Sequence, residues 1–173
     1  MNLIVTCARN LEGETEEEII DILDELGDPD SKISVSNMSG IITVQTELDP
    51  IEVVRKMKEI LLDEPWSIRY CLRVIPIQKI VETNLERIVE HISSISDKIE
   101  DNESYRILIE KRNSDISSKE IITNIANQIK NKVSLDFPDK IILIEILGIV
   151  TGISLIKKSD ILSLEKTKRS MSE

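Results

Sequence analysis

Apolar residues recur along this chain with two periods, and their order divides it into two halves. Asn2–Ala8 is a short apolar run that reads as a first strand. Thr15-Glu16-Glu17-Glu18 has the form of a capping box, and Ile19, Ile22, Leu23 and Leu26 then recur at helical spacing until Gly27, with Pro29 beyond, predicts the stop. Ile33 and Val35 alternate with polar residues over Lys32–Ser36. Asn37-Met38-Ser39-Gly40 turns the chain into a second run, Ile41–Thr46, so a hairpin is expected. Asp49-Pro50-Ile51-Glu52 is a helix start with proline at the first helical position, and Val53, Val54, Met57, Ile60 and Leu61 form its apolar stripe. After Asp63-Glu64-Pro65, the stretch Trp66–Ile77 reads as a last strand. Strand, helix, strand, strand, helix, strand is the split βαβ order of a ferredoxin-like sheet, with two helices on one face and the other face open.

Alternation then sorts side chains between faces. It predicts Ile33, Val35, Ile68, Tyr70, Leu72 and Val74 under the helices, and Lys32, Ser34, Ser36, Arg69, Cys71 and Arg73 on the open face. Arg69 and Arg73 would stand in one row, either to meet a ligand or to cover a bare sheet with their stems.

Pro76–Thr83 reads as a link to the second half. Thr83-Asn84-Leu85-Glu86 is another capping box, followed by a long amphipathic helix with Leu85, Ile88, Val89, Ile92, Ile95 and Ile99 on one side. Tyr105, Ile107 and Ile109 alternate with Arg106, Leu108 and Glu110, a strand pattern that runs into Lys111-Arg112-Asn113. Ser117-Ser118-Lys119-Glu120 then opens a helix carrying Ile121, Ile122, Ile125 and Ile129, with Lys130 at its far end. A strand delivering two cations to the unpaired N–H groups of Ser118, Lys119 and Glu120 makes an anion corner, phosphate being the first candidate. A surface turn with solvated charges is the alternative. Ile141–Leu147 and Ile153–Ile156 close the half as two strands around a Gly148/Gly152 turn region. Lys157, Lys158, Lys166, Lys168 and Arg169 make a basic end of low apolar content, read as a frayed tail. The expected fold class is therefore α+β, with domains at 1–80 and 81–162 and a flexible tail at 163–173.

Charge sharpens this picture. The chain carries a net charge of -10, but residues 1–80 hold 16 acids and 8 bases (net -8), whereas residues 81–173 hold 16 acids and 14 bases (net -2). The second half is nearly neutral and could present a basic face. One Trp, one Phe and two Tyr leave little for a base-stacking platform. Cys7 and Cys71 lack a CxxC partner or a nearby base and read as buried thiols of a reduced, cytoplasmic protein. His91, the one histidine, lies on a helix between charged neighbours and is not expected to act as a base. No GxxxxGK[ST] or GxGxxG is present, no signal peptide is apparent, and Ile141–Ile156 is too short and too polar to span a membrane. No cofactor or metal is expected.

From Arg69 onward the chain resembles THUMP-domain proteins of the stand-alone adaptor type that assists tRNA cytidine acetylation. The residues that carry the resemblance are Arg69-Tyr70-Cys71-Leu72-Arg73-Val74-Ile75-Pro76-Ile77, Tyr105-Arg106-Ile107-Leu108-Ile109-Glu110-Lys111-Arg112, the Ser118–Ile129 helix, and Ile144-Glu145-Ile146-Leu147 with Gly152-Ile153-Ser154-Leu155. The resemblance implies an N-terminal ferredoxin-like domain and a THUMP domain that together grip the acceptor end of tRNA and present it to a modifying centre. About ten residues follow the last apolar pair, so the expectation is a non-catalytic adaptor serving a separate enzyme, a tRNA cytidine acetyltransferase. By the same analogy Lys111 and Arg112 contact RNA, and Arg73 lies in the matching junction motif. Joined to the anion corner, this gives Arg69, Arg73, Lys111, Arg112, Ser118, Lys119 and Lys130 as the expected RNA-binding set. Arg112→Glu is then expected to weaken RNA binding with little loss of stability. The alternatives are a protein-interaction subunit that does not touch RNA, and an RNA-binding partner of a methyltransferase or thiolation enzyme.

Overall fold

Apolar alternation and capping residues fix most of the elements where the sequence predicts them. The computed structural model describes residues 1–172. In chain order the first elements are β1 (Leu3–Thr6), α1 (Glu12–Leu26), β2 (Lys32–Val35), β3 (Ile41–Gln45), α2 (Pro50–Asp63) and β4 (Arg73–Pro76). Then come β5 (Lys79–Glu82), α3 (Leu85–Ile95), β6 (Tyr105–Arg112), α4 (Ser118–Gln128), β7 (Lys140–Leu147), β8 (Val150–Ile156), β9 (Leu162–Ser163) and α5 (Leu164–Met171). Two compact units result: Met1–Ile77 with the segment from Ser159 onward, and Gln78–Lys158. No helix among the described residues is long and apolar enough to cross a membrane.

The first unit is a ferredoxin-like sheet of order β2-β3-β1-β4, with β9 added beside β4. Leu3 and Val5 of β1 and Val74 of β4 meet Ile19 and Leu23 of α1 and Val54 and Met57 of α2 in one core. Asp49 caps α2 as expected, its carboxylate accepting the Ile51 N–H at 2.8 Å. Gly27 ends α1 in the left-handed conformation. The expected start of α1 moves, however. The helix begins at Glu12, and Thr15 lies within it, buried, donating its hydroxyl to the Leu11 carbonyl at 2.6 Å. Glu12 instead accepts the Gly40 N–H at 2.8 Å. Gly40 has φ +75°, and a Cβ there would lie 2.7 Å from the Cys7 carbonyl oxygen, so the turn before β3 admits glycine alone.

Three expectations for this unit are corrected. Only Arg73–Pro76 of the stretch Trp66–Ile77 is strand, because the Glu18 carboxylate gathers the backbone N–H groups of Arg69, Tyr70 and Cys71 at 2.8 to 3.3 Å and bends the chain. Residues three apart therefore point inward: Ile68, Cys71 and Val74 are buried, while Leu72 is exposed and Tyr70 half-buried. The face away from the helices is not bare, since Ile4 and Ile75 are buried; apolar side chains on both sides of a strand are the mark of two-sided burial. The expected frayed tail is ordered through Met171. Leu162 and Leu164 join the core, β9 pairs with β4, and Ser163 caps α5 by accepting the Lys166 N–H. Glu173 lies outside the described residues.

In the second unit α3 and α4 cover one face of a sheet of order β5-β8-β7-β6, in which only β6 and β7 are parallel. Ile88 and Ile92 of α3 and Ile121 and Ile125 of α4 pack on Ile142, Ile144, Ile146 and Ile153. Truncating any of these to alanine costs about 2–5 kcal/mol. The cap of α3 is Asn84 rather than Thr83. Part of the expected link is a strand, because Lys79–Glu82 pairs with β8 over Val150–Ile153. Gly148, at φ +63°, and Ile149 make a two-residue hairpin loop, whereas Gly152 sits inside β8 opposite Glu145. The strand at Tyr105 is an edge strand of this sheet, and β7 is interior.

Candidate nucleic-acid interface

The corner between β6 and α4 forms as the sequence predicts, but the alternation that makes β6 a strand also separates its two terminal cations. Register pairs Glu110 with Glu145 and Arg112 with Leu147 on the face away from α3 and α4, and Lys111 with Ile146 on the helix side. Arg112 accordingly reaches the Glu145 carboxylate, Nη1 to Oε2 3.4 Å. Glu145 is fully buried, so this guanidinium is held against an interior carboxyl group as well as facing solvent with part of its surface. Lys111 stays at the corner and donates to the Ile116 carbonyl at 2.9 Å. Asn113, at φ +54°, starts the connection to α4, and the Ser117 hydroxyl accepts the Glu120 N–H at 3.2 Å as the N-cap. Lys119 is exposed in the first helical turn and Ser118 half-buried. The corner thus brings together Lys111, Ser118 and Lys119, with Arg112 behind them on the other sheet face.

The remaining expected contacts lie elsewhere. Lys130 is exposed just beyond the opposite end of α4, about 16 Å along the helix from Ser118. Arg69 and Arg73 belong to the first unit and do not form one strand row. Arg69 precedes β4 and donates Nε to the Trp66 carbonyl, and the N–H groups of residues 69–71 are held by Glu18. Arg73 is half-buried in β4, between Thr6 and Ser163. Sequence reasoning missed Glu145 and Glu18. Glu145 did carry a signal, a lone carboxylate inside an apolar run.

The candidate reactive groups are poorly placed for chemistry. Cys7 and Cys71 are buried free thiols; burial, and then nearby carboxylates, push both pKa values up, that of Cys71 strongly. Among the described residues, no three His, Cys, Asp or Glu side chains cluster to hold a metal ion.

Comparison with known proteins bears on the domain and the fold. The family model of the THUMP domain matches residues 82–156, inside the second unit. No curated protein matches the sequence significantly. Among solved structures, PH1313 from Pyrococcus horikoshii is 20% identical with a TM-score of 0.64, over 91% of this chain and 55% of its own. TrmN from Thermus thermophilus is 13% identical with a TM-score of 0.60, over 88% and 44%. A possible methylase from Clostridium difficile is 18% identical with a TM-score of 0.55, over 90% and 40%. This chain spans about half the length of these structures, and the likeness is one of fold. The chain carries a THUMP domain at residues 82–156, joined to a ferredoxin-like unit.

Proposed function

We propose that this protein is a non-catalytic adaptor that binds tRNA at its acceptor end and presents it to a separate modifying enzyme, a tRNA cytidine acetyltransferase. The observation that carries the reading is the THUMP domain, an RNA-binding module of tRNA modification. The charge distribution supports it. Residues 78–158 hold 12 bases and 13 acids, 12 - 13 = -1, whereas the rest of the chain holds 10 bases and 19 acids, 10 - 19 = -9. Phosphate attraction is therefore left to the THUMP unit, and an acidic chain can bind RNA if its cations share a face.

In this reading Lys111, Lys119 and the first-turn N–H groups of α4 hold phosphates, Arg112 adds its exposed portion, and Lys130, Arg69 and Arg73 extend the surface. Such contacts read backbone and shape more than base sequence. The buried, high-pKa thiols support a binding role over a nucleophilic one. A methylating enzyme as the partner is a second reading, favoured by the likeness to the possible methylase.

The test is the affinity for unmodified bulk tRNA across a salt series, beside a tRNA lacking its 3′ single-stranded end. The reading expects binding that weakens steeply with salt, with a log–log slope of about -3 to -4 for four phosphate contacts, and that needs the 3′ end. Equal binding of both RNAs removes the acceptor-end reading, and no binding near physiological salt removes the RNA-binding one. Capture of an acetyltransferase from the same cells by the tRNA-bound chain, against a methyltransferase, decides the partner.

A further inference from the structure

The end of the THUMP sheet opposite the Lys111 corner contains a second concentration of positive charge that the sequence does not reveal. Lys79 of β5, His91 of α3, Lys98 just after α3 and Lys140 at the start of β7 line a cavity of about 360 Å³, with Ile95 and Leu155 as apolar lining. Lys140 has a carboxylate nearby, Glu103 at 3.8 Å. Among the described residues neither Lys79 nor Lys98 has an ion-pair partner within 4.0 Å. Along α3 itself Arg87 and Glu90 pair with each other at 3.7 Å, and on the α4 side Ser93 meets the neutral Gln128. Burial, with Lys79 and Lys98, holds the His91 pKa below its ordinary value.

Three lysines around one concavity repel each other and oppose protonation of the imidazole between them, and two of the lysines have no compensating carboxylate. An anion in the cavity would remove that repulsion. The space exceeds that of a water molecule and admits a phosphate with part of its sugar.

We infer that this cavity is a phosphate site, and that it takes a backbone phosphate of bound RNA; the RNA assignment rests on the RNA-binding reading above. Along β7, Lys140 at the cavity is six residues from Ile146, which pairs with Lys111, a separation of about 20 Å. One nucleotide cannot bridge that distance, whereas a folded RNA can occupy both ends. The site also couples binding to a proton. A bound phosphate offsets the field of Lys79 and Lys98 and raises the His91 pKa, so binding takes up a proton and tightens as pH falls through the window between the free and bound values.

Because the chain has one histidine, its imidazole NMR titration reports this site alone. The titration is run on the full chain, free, with tRNA, and with sulfate, whose charge is fixed over this range. Wild type is compared with the double variant Lys79→Gln/Lys98→Gln. The expected result is a His91 pKa raised by tRNA and by sulfate, and a loss of both shifts in the double variant. That variant should bind tRNA roughly fivefold or more weakly, with a salt slope shallower by about two units. If tRNA binds and the His91 titration stays where it was, the cavity is not part of the interface, while the RNA-binding reading stands. If wild type does not bind tRNA, that reading and the RNA assignment both fall. A sulfate shift lost in the double variant then identifies a small-anion site, and an absent sulfate shift overturns the phosphate site as well.

Discussion

The two ends of the THUMP sheet hold similar numbers of cations in opposite circumstances. At the corner before α4, Lys111 is hydrogen-bonded to the Ile116 carbonyl and Arg112 is paired with buried Glu145, so both stabilise the protein itself. At the other end Lys79 and Lys98 face a cavity and a half-buried imidazole without a carboxylate partner. Of the cations conspicuous in the sequence, the fold engages Lys111 and Arg112 and leaves Lys119 exposed. A charge is available to a ligand when its own fold leaves it unmatched.

The largest test of this contrast is Arg112→Glu. Replacing an ion-pair partner of a buried carboxylate by a second carboxylate should cost about 3–5 kcal/mol in urea unfolding, against the expectation from sequence that stability would hardly change. Arg112→Leu combined with Glu145→Leu should recover most of that loss, and a fully stable Arg112→Glu protein would break the comparison. Next in size is Glu18→Ala, which leaves three backbone donors at 69–71 without their acceptor; a loss of about 2–3 kcal/mol, read by the same unfolding curves, is expected. Lys119→Gln comes third. It should lower tRNA affinity a few-fold and shallow the salt slope by about one unit at unchanged stability, whereas Lys111→Gln should shift stability slightly and the slope less.

The smallest effect is on stability against pH. The folded pKa of His91 lies below its ordinary value, about 6.5, so the unfolded chain binds the proton more readily and the free protein loses stability as pH falls through and below that value. His91→Gln should therefore melt slightly higher than wild type near pH 5.5 and together with it above pH 7.5. A wild-type advantage at low pH would mean that something on the folded protein favours the charged imidazole.

Elements marked by local chemistry were legible in the sequence: the Asp49-Pro50 and Ser117 helix starts, the Gly27 stop, and the alternating runs of the hairpin and of β6. What failed depended on distant partners. Thr15 has a capping-box sequence but lies one turn inside its helix, and Trp66–Leu72 alternates plausibly but is bent by Glu18, some fifty residues earlier. Lys79-Ile80-Val81-Glu82 is too short and mixed to announce a strand until β8 pairs with it. Leu162 and Leu164 are two apolar residues in a charged stretch, and only the core they enter explains them. The separation of Lys111 from Arg112 was legible in principle, since neighbours in a strand face opposite ways. The cavity at Lys79, His91, Lys98 and Lys140 was not, because nothing local relates β5, the end of α3 and the start of β7.

The return of β9 and α5 to the first unit bears on the order in which the chain can fold as it is made. Translation supplies every residue of the Gln78–Lys158 unit before it supplies Leu162 and Leu164, both buried in the first unit's core. The domain that comes second in the sequence has all its residues before the first domain has the last of its core. The N-terminal sheet must wait with β4 as a free edge, reversing the usual N-to-C order of domain folding.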